Sequence, residues 1–571
     1  VGALALDANT TAANNTAVGL EGLSANTTGA GNTSVGSLAL NNNTTAANNT
    51  AVGYLALTTN TTASNNTAVG KGALQANTTG SRNVSVGFEA GNANTLGFDS
   101  TFIGYRAGYS NTTGSGNDSR NTAVGSNSLA ANTTAANNTA VGYASLNANT
   151  TGTGLVAVGT SALAANTTGN YNIAIGYVAL DANTTGANNL AMGLSSLGTN
   201  TTGSNNIALG QGALTANTTA SNNTAVGYTA LTANTTGSEN VAVGTNALSA
   251  NTTAGNNVAI GKDALKANTI GNTNIAIGTD AMTTNVAADR NVAVGEQALQ
   301  NMTAASSTDT YNVGVGYNAG LAVTTGVRNA LIGGLAGTAL TTGGTNTALG
   351  YRAMGGATVT GNTNVAIGSD TLYVMTSGAN NTAVGYDAGG AVTSGANNTF
   401  LGKASGLSGS PGGAITTGSN EIVLGNADIT EAHIQVDWTV ASDARDKTDF
   451  TALDLGLDFV KALAPVTYKW DKRSKYGNKK ADDYDLNAQT PDGTHKEDWL
   501  DIGFKAQEVE ALEIAAGYNK DNKTNLVSSH TGDGKQMGLQ YSKFVPILVK
   551  AIQEQNALIE ALTTRITTLE G

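Results

Sequence analysis

The sequence predicts a mainly β protein: an elongated β-roll, or β-solenoid, followed by a small α+β domain that ends in a coiled-coil helix. Three observations lead to this fold class. A glycine recurs every 17 residues through most of the 571-residue chain, the composition changes abruptly near residue 430, and an apolar heptad pattern occupies the C-terminal end. The predicted boundaries are 1–426 for the solenoid shaft, 427–441 for a neck and 442–571 for the C-terminal domain, with the coiled coil at about 543–570.

The repeats follow the motif "NTAVG". Twenty-five glycines from Gly2 to Gly425 define 24 intervals; 20 of these are 17 residues long, and the others are 21, 21, 18 and 23. Fixed periodicity of this kind indicates a solenoid. In "VAVG", ending at Gly244, a short strand places β-branched residues on one face and Ala on the other. The glycine permits a turn or close backbone approach. The pair Ala247–Leu248 predicts a second strand, and the Asn, Thr and Gly that follow predict a turn.

The predicted coil has two apolar faces. Its interior is thin and rich in Ala, whereas the Val, Ile and Leu side chains of the strand point the other way. A continuous exposed apolar strip favours association, because apolar surface is more stable out of water. We therefore expect several identical chains to pack around a common axis, most simply as a closed cyclic assembly.

Two further features of the repeat region leave alternatives open. The long intervals contain insertions at Tyr105–Arg120, Glu296–Thr310 and Lys403–Asn420. Insertions in solenoids emerge as loops that often bind, but they can equally be tolerated surface loops. The many "NTT" and "NNT" triplets match the glycosylation sequon, and regular Thr is also found in ice-binding proteins. We interpret both as turn chemistry, because Asn, Thr and Gly are typical turn residues.

Composition argues against several classes of function. The formal net charge is −12, which disfavours general nucleic-acid binding because phosphate contacts require clustered Lys and Arg. There is no Cys, and the three histidines (His433, His495 and His530) show no ligand spacing, so we expect no metal site and no cofactor. No apolar run is long enough for membrane insertion. The chain begins within the repeat pattern without Met, so we expect an N-terminal attachment region to be missing.

Residues 427–571, the neck and the C-terminal domain together, hold 41 of the 66 charged residues and all three Trp. "LDFVKALAPVTYKWD", Leu457–Asp471, predicts an amphipathic helix that Pro465 ends, followed by a strand. Lys472–Asp498 is predicted to form a charged loop or hairpin. "IGFKAQEVEAL", Ile502–Leu512, predicts a strand that leads into a short helix.

The final segment predicts a coiled-coil helix, because apolar residues alternate at spacings of 3 and 4. Ile at the a positions and Leu at the d positions generally favour two strands, but a core Gln can change that number. The pattern therefore leaves the number of chains open between two and three. The predicted seam consists of Val545, Leu548, Ile552, Gln555, Ile559, Leu562, Ile566 and Leu569.

Four sequence blocks carry a family resemblance. "SDARDK", "LAPVTYKW", "IGFKAQEVE" and "YSKFVPILVKAIQEQ" occur in this order over about 442–571 and resemble the peptidase S74 domain. This domain is the intramolecular chaperone of endosialidase and other phage tail-spike and tail-fibre proteins. The repeats are similar to those of trimeric adhesin heads and phage fibre shafts. The resemblance implies a homotrimer, a chaperone that assists fibre assembly and release of that chaperone by autoproteolysis.

The family pattern implies a cut between Ala441 and Ser442, with Ser442 as nucleophile and Lys447 as general base. A Ser–Lys pair is a known variant of the catalytic triad, and it suits a chain without Cys. Arg445 could give electrostatic support, either to Lys447 or to the oxyanion. Residues five apart do not meet on a helix or a strand, so a bend or a neighbouring chain must join Ser442 and Lys447. Asp446 stands where the family commonly has an apolar residue, and its carboxylate would disfavour the neutral Lys447 that a base requires.

The function that these expectations indicate is a phage tail fibre for host attachment. It would be made in the host cytoplasm, carried on the virion and bound to a cell-surface receptor, either a glycan or a protein. The alternative is a bacterial trimeric surface adhesin, or another extracellular fibre that keeps its chaperone domain. An enzyme acting on an external substrate is not expected, since no catalytic domain fits between Gly425 and Ser442.

Overall fold

The computed structural model describes residues 2–112, 119–304, 306–435, 440–477, 484–531 and 534–571. The chain divides into two compact units, Val1–Arg328 and Asn329–Gly571. The first unit is a β-solenoid. The second contains further solenoid coils and then the α+β domain. The predicted fold class, a mainly β solenoid of 17-residue repeats before a small α+β domain with a long terminal helix, is confirmed.

Most coils of the first unit contribute one three-residue strand, which pairs in parallel with the strands of adjacent coils. Thr50 lies opposite Thr67, its counterpart 17 residues later, and Ala51 lies opposite Ala68. The strands are Thr16–Val18, Thr33–Val35, Thr50–Val52, Thr67–Val69, Val84–Val86, Thr101–Ile103, Thr122–Val124, Thr139–Val141, Val156–Val158, Ile173–Ile175, Leu190–Met192, Ile207–Leu209, Thr224–Val226, Val241–Val243, Val258–Ile260, Ile275–Ile277, Val292–Val294 and Val313–Val315, with a short extra pair at Ala288–Asp289 and Thr308–Asp309.

The predicted second strand of each coil is wrong. At Ala247–Leu248 the chain forms turns, and Leu248 has φ 51°. The amide of Leu248 still donates to the carbonyl of Ala264 in the next coil, at 3.0 Å. Bonds between coils therefore continue without an extended backbone. Residues other than Gly rarely adopt positive φ and do so only where their surroundings impose it, so propensity could not predict this conformation.

The interior of the coil is rich in Ala, as predicted. Ala242, Ala247 and Leu248 are fully buried, whereas the outer strand face carries apolar side chains such as Ile275 and Ile277, which are 38% and 37% exposed. The repeated glycine has a steric role. A Cβ on Gly244 would lie 2.5 Å from the carbonyl oxygen of Gly261 in the next coil. The close backbone approach predicted at this position is therefore present.

Buried asparagines form ladders that run from coil to coil. Asn183 Nδ2 donates to Asn166 Oδ1 at 2.8 Å and to the carbonyl of Gly186 at 3.0 Å, and Asn200 Nδ2 donates in turn to Asn183 Oδ1 at 2.9 Å. These asparagines are fully buried. The interpretation as turn chemistry is incomplete, because the Asn of most "NTT" triplets lies inside the coil. Buried amides with partners on both sides tie each coil to its neighbours.

The second unit contains the solenoid strands Ala330–Ile332, Thr347–Leu349, Val365–Ile367, Thr382–Val384, Thr399–Leu401 and Ile422–Leu424. Parts of three predicted segments lie outside the described residues: 113–118 and 305 in two of the insertions, and 436–439 in the neck. The same holds for 478–483 in the predicted charged loop. Among the described residues, no helix is long and apolar enough to cross a membrane.

The α+β domain contains the three predicted helices and the two predicted strands, together with a hairpin at Ser528–His530 and Met537–Leu539 that was not predicted. Helix α1 covers Leu457–Ala462 and ends before Pro465, helix α2 covers Ala506–Ala515 and helix α3 covers Phe544–Glu570. The strands are Val466–Tyr468 with Asp501–Gly503, and Ser528–His530 with Met537–Leu539, both antiparallel; short 3-10 turns occupy Ala444–Asp446, Arg473–Lys475, Leu486–Ala488 and Tyr541–Lys543.

The core of the α+β domain joins all three helices. It is formed by Leu455, Phe459, Val509, Val527, Phe544 and Ile547. Glu513 on α2 is fully buried, and its carboxylate accepts bonds from the amides of Leu526 at 2.8 Å and Ser528 at 3.0 Å. These bonds attach the hairpin to α2, because a buried carboxylate must keep its hydrogen-bond partners.

Candidate active site

A single 3-10 turn brings Ser442 and Lys447 together. The Asp443 side chain caps the turn by accepting from the Arg445 amide at 2.9 Å, and the turn itself covers Ala444–Asp446. The backbone of Lys447 is extended again, with φ −126° and ψ 144°. The result is a distance of 2.6 Å between Lys447 Nζ and Ser442 Oγ.

The predicted bend is therefore present within one chain, and a neighbouring chain is not needed to join these two side chains. Ala441, Ser442 and Lys447 are all exposed in the single chain. Removal from water favours the neutral amine, which is the form of lysine that can accept a proton. The lysine amine and the serine hydroxyl are thus in contact, but neither side chain is buried.

Arg445 is engaged by Asp443. Its Nη2 lies 2.5 Å from Asp443 Oδ2, and its Nε also contacts that carboxylate, at 3.1 Å. Hydrogen bonds from the Arg445 side chain and, to a smaller extent, from the Arg445 amide hold the pKa of the Asp443 carboxyl below its usual range. The same ion pair raises the pKa of Arg445. Arg445, the residue that the sequence suggested as support for Lys447 or the oxyanion, is therefore occupied in stabilising the turn.

Asp446 lies inside the turn, next to Lys447. Within the described ranges, no hydrogen bond or ion pair joins the Asp446 carboxylate to Lys447 Nζ. Any influence of Asp446 on the base would act through space. The effect that the sequence predicts for this carboxylate stays a prediction.

The turn is followed by a segment anchored in the domain. Leu455 is 3% exposed and belongs to the core. Two residues later, the amide of Leu457 donates a hydrogen bond of 2.7 Å to the Glu554 carboxylate of α3, which caps the start of α1. This contact holds the pKa of Glu554 below its usual range. The candidate site and the terminal helix are therefore connected through α1.

One family model matches the chain. Residues 442–518 match Peptidase_S74, the chaperone of endosialidase. This segment is similar to that chaperone family. The match begins at Ser442 and includes the first three of the four sequence blocks, while α3 lies beyond it. No curated protein matched the chain.

The terminal helix presents two apolar faces. The predicted seam is uncovered in the single chain: its apolar side chains are between 43% exposed at Leu548 and 79% at Leu569, and Gln555 is exposed as well. On the other face, Phe544, Ile547 and Ala551 are buried against the domain. The sequence analysis missed this second face, although its spacing of 3 and 4 residues starts one position before the seam.

In the described parts of the chain, no three His, Asp or Glu side chains are placed to hold a metal ion.

Proposed function

We propose that the chain is a phage tail fibre for host attachment, whose C-terminal domain drives assembly of three chains and is then released by a cut between Ala441 and Ser442. The observation that carries the proposal is the 2.6 Å contact between Lys447 Nζ and Ser442 Oγ, located at the first residue of the family match.

The cut proceeds by attack of Ser442 Oγ on the carbonyl carbon of Ala441. Neutral Lys447 accepts the hydroxyl proton as the C–O bond forms. The C–N bond then breaks, the proton passes to the leaving amine, and an ester joins Ala441 to the Ser442 side chain. Water hydrolyses that ester to give a carboxylate at Ala441 and a free Ser442. Holding nucleophile and target in one chain can contribute about 7–11 kcal/mol of the barrier, which is sufficient for a weak pair that acts once.

Assembly supplies what the single chain lacks. If association of the chains also covers the turn, the loss of water around it would favour neutral Lys447. The uncovered seam and the exposed side chains such as Ile275 support an oligomer. The number three comes from the resemblance to the family. On this proposal, the chain is cut only after the three chains have assembled.

A chaperone is useful to a fibre of this kind because its coils are nearly identical. Along the stretches of ordinary coils between the long ones, two chains can pair one coil out of step with little change in energy, so many incorrect arrangements compete with the correct one. A C-terminal domain that trimerises first aligns the chain ends. Deleting 442–571 from the gene should therefore give insoluble or unassembled shaft, whereas normal yield of assembled shaft would contradict the chaperone role.

The assembled fibre would belong to the virion and bind a host cell-surface receptor, a glycan or a protein. A bacterial surface adhesin that retains its chaperone is the alternative. The deciding experiment is Ser442→Ala, with the exposed Ser542→Ala as matched control. We expect the control to yield fragments 1–441 and 442–571 by mass spectrometry and Ser442→Ala to remain full-length. A fragment ending at Ala441 in Ser442→Ala would assign the cut to an outside protease.

A further inference from the structure

The longest coil, between Gly402 and Gly425, is a folded structure and not a slack loop. Ser410 is 2% exposed, and its Oγ accepts from the Gly406 amide at 3.0 Å and donates to the Leu407 carbonyl at 2.7 Å. The side chain of Ile415 is buried inside the loop and is only 1% exposed. A loop with its own buried serine and isoleucine holds a fixed surface.

This surface contacts the α+β domain, and both lie in the 329–571 unit. Gly409 approaches Ser474 so closely that a Cβ on Gly409 would lie 2.7 Å from Ser474 Cβ. Ser474 is 4% exposed as a result. Gly409 also has φ 91°, a conformation that residues with a side chain rarely adopt. Backbone conformation and contact both require glycine at this position.

Two lysines extend the contact. Lys475 Nζ lies 2.6 Å from Asp428 Oδ1, and Lys472 Nζ donates to the carbonyl of Ala427 at 3.4 Å. The Lys475 and Asp428 side chains are 29% and 46% exposed, so the ion pair is partly shielded. Coulomb attraction at such a site exceeds that of a fully exposed pair.

The segment 472–475 is held rigidly on its own domain. Arg473 donates to Asn487 Oδ1 and to the carbonyl of Lys535, both at 2.8 Å. The contact therefore joins two preformed surfaces. Association of preformed surfaces loses less conformational entropy than association of flexible ones.

The two surfaces lie on opposite sides of the proposed cut. We infer that Gly409, Ala427 and Asp428 form a seat that retains the C-terminal domain, through Lys472, Ser474 and Lys475, after the chain is cut. This inference rests on the proposed function. Its partner is the chain's own domain 442–571 as a separate polypeptide. The seat turns release into a second, salt-dependent step, because screening weakens an ion pair.

The test uses the full chain with Ser442→Ala and an added protease recognition sequence after Gln435, so that only the added protease cuts. Size-exclusion chromatography then measures how much of the C-terminal fragment remains with the fibre. We expect retention at low salt and loss at about 1 M salt, where the screening length is about 3 Å. Asp428→Lys should weaken retention about tenfold, since repulsion replaces attraction.

The charge-swapped double variant Asp428→Lys with Lys475→Asp should restore retention, and Asp521→Lys, which changes an exposed ion pair within the domain, should leave it unchanged. Gly409→Ala should weaken retention independently of charge. The seat would be overturned if the C-terminal fragment without further substitutions left the fibre at low salt. It would also be overturned if the double variant did not regain retention of the fragment. Absence of self-cleavage in the unmodified chain would instead contradict the proposed function, and the two failures are distinguishable.

Discussion

Lys447 Nζ lies 2.6 Å from Ser442 Oγ across a single 3-10 turn. If this contact transfers a proton, the lysine must be able to lose its charge. Lys447→Arg keeps a cation at this position that cannot act as a base, because the guanidinium group stays protonated in proteins. We expect no cut in Lys447→Arg or Lys447→Ala by denaturing gel electrophoresis. Lys520→Arg, at an exposed position, should cut like the parent. Cutting of Lys447→Arg at the parental rate would exclude Lys447 as the base.

Asp446 gives a prediction of opposite sign. A carboxylate near Lys447 stabilises the ammonium form, so its removal makes the neutral base easier to reach. Asp446→Leu and Asp446→Asn should both speed the cut, measured as the rate at which full-length chain disappears after synthesis. The Asn variant removes charge with little change in size. Slower cutting in both variants would mean that Asp446 supports the turn more than it opposes the base.

The seam of α3 can be tested with two neighbouring substitutions. Ile559→Asp places a charge on the uncovered apolar face. Thr564→Asp places the same charge off the seam, at an exposed residue whose hydroxyl donates to the Glu560 carbonyl of the same helix. We expect Ile559→Asp to give monomer and no cut, and Thr564→Asp to behave as the parent. Light scattering reports the oligomer and gel electrophoresis the cut. A monomeric Ile559→Asp chain that still cuts would separate cleavage from assembly.

The asparagine ladder predicts a local loss of stability. Asn183→Ala leaves the buried Asn166 Oδ1 without its donor and removes one of the two acceptors of Asn200 Nδ2, at a cost of about 1–3 kcal/mol for each unsatisfied group. Hydrogen exchange should therefore quicken in the coils on either side of Asn183. Thr185→Ala, at an exposed site of the same coil, is the control. Equal exchange rates in the two variants would show that the asparagine ladder does not stabilise these coils.

Glu554 predicts a dependence on pH. Its pKa is lowered in the folded state by the Leu457 amide, so its contribution is present above the usual glutamate pKa and is lost as pH falls through the lower folded value. Glu554→Gln should therefore unfold more readily than the parent at neutral pH, and the two should converge in acid. Thermal unfolding between pH 7 and about pH 3 measures the difference. A constant difference across that range would contradict the helix cap.

Local signals predicted the three helices of the C-terminal domain and the strands Val466–Tyr468 and Asp501–Gly503, but they did not predict the hairpin of Ser528–His530 and Met537–Leu539. Pro465 ends α1, and the period of α3 follows directly from its apolar residues. Two features escaped because they depend on neighbours in space. The positive φ of Leu248 is imposed by adjacent coils, and the burial of Asn183 follows from the path of the coil. Ser442 and Lys447 could be chosen from the sequence, but their contact depends on a turn that Asp443 caps. The approach of Ser474 to Gly409 left no signal in the sequence, since it joins segments far apart along the chain.

The irregular coils have a consequence for how copies of this chain can be aligned. A row of identical coils does not fix the register of a neighbouring chain, because every coil presents the same surface. The intervals of 21 residues after Gly104 and after Gly295 interrupt this regular row of coils. Two copies displaced by a single step would set a long coil against an ordinary one, twice over. The insertions therefore help to set the register between chains, and this role does not require them to bind a ligand.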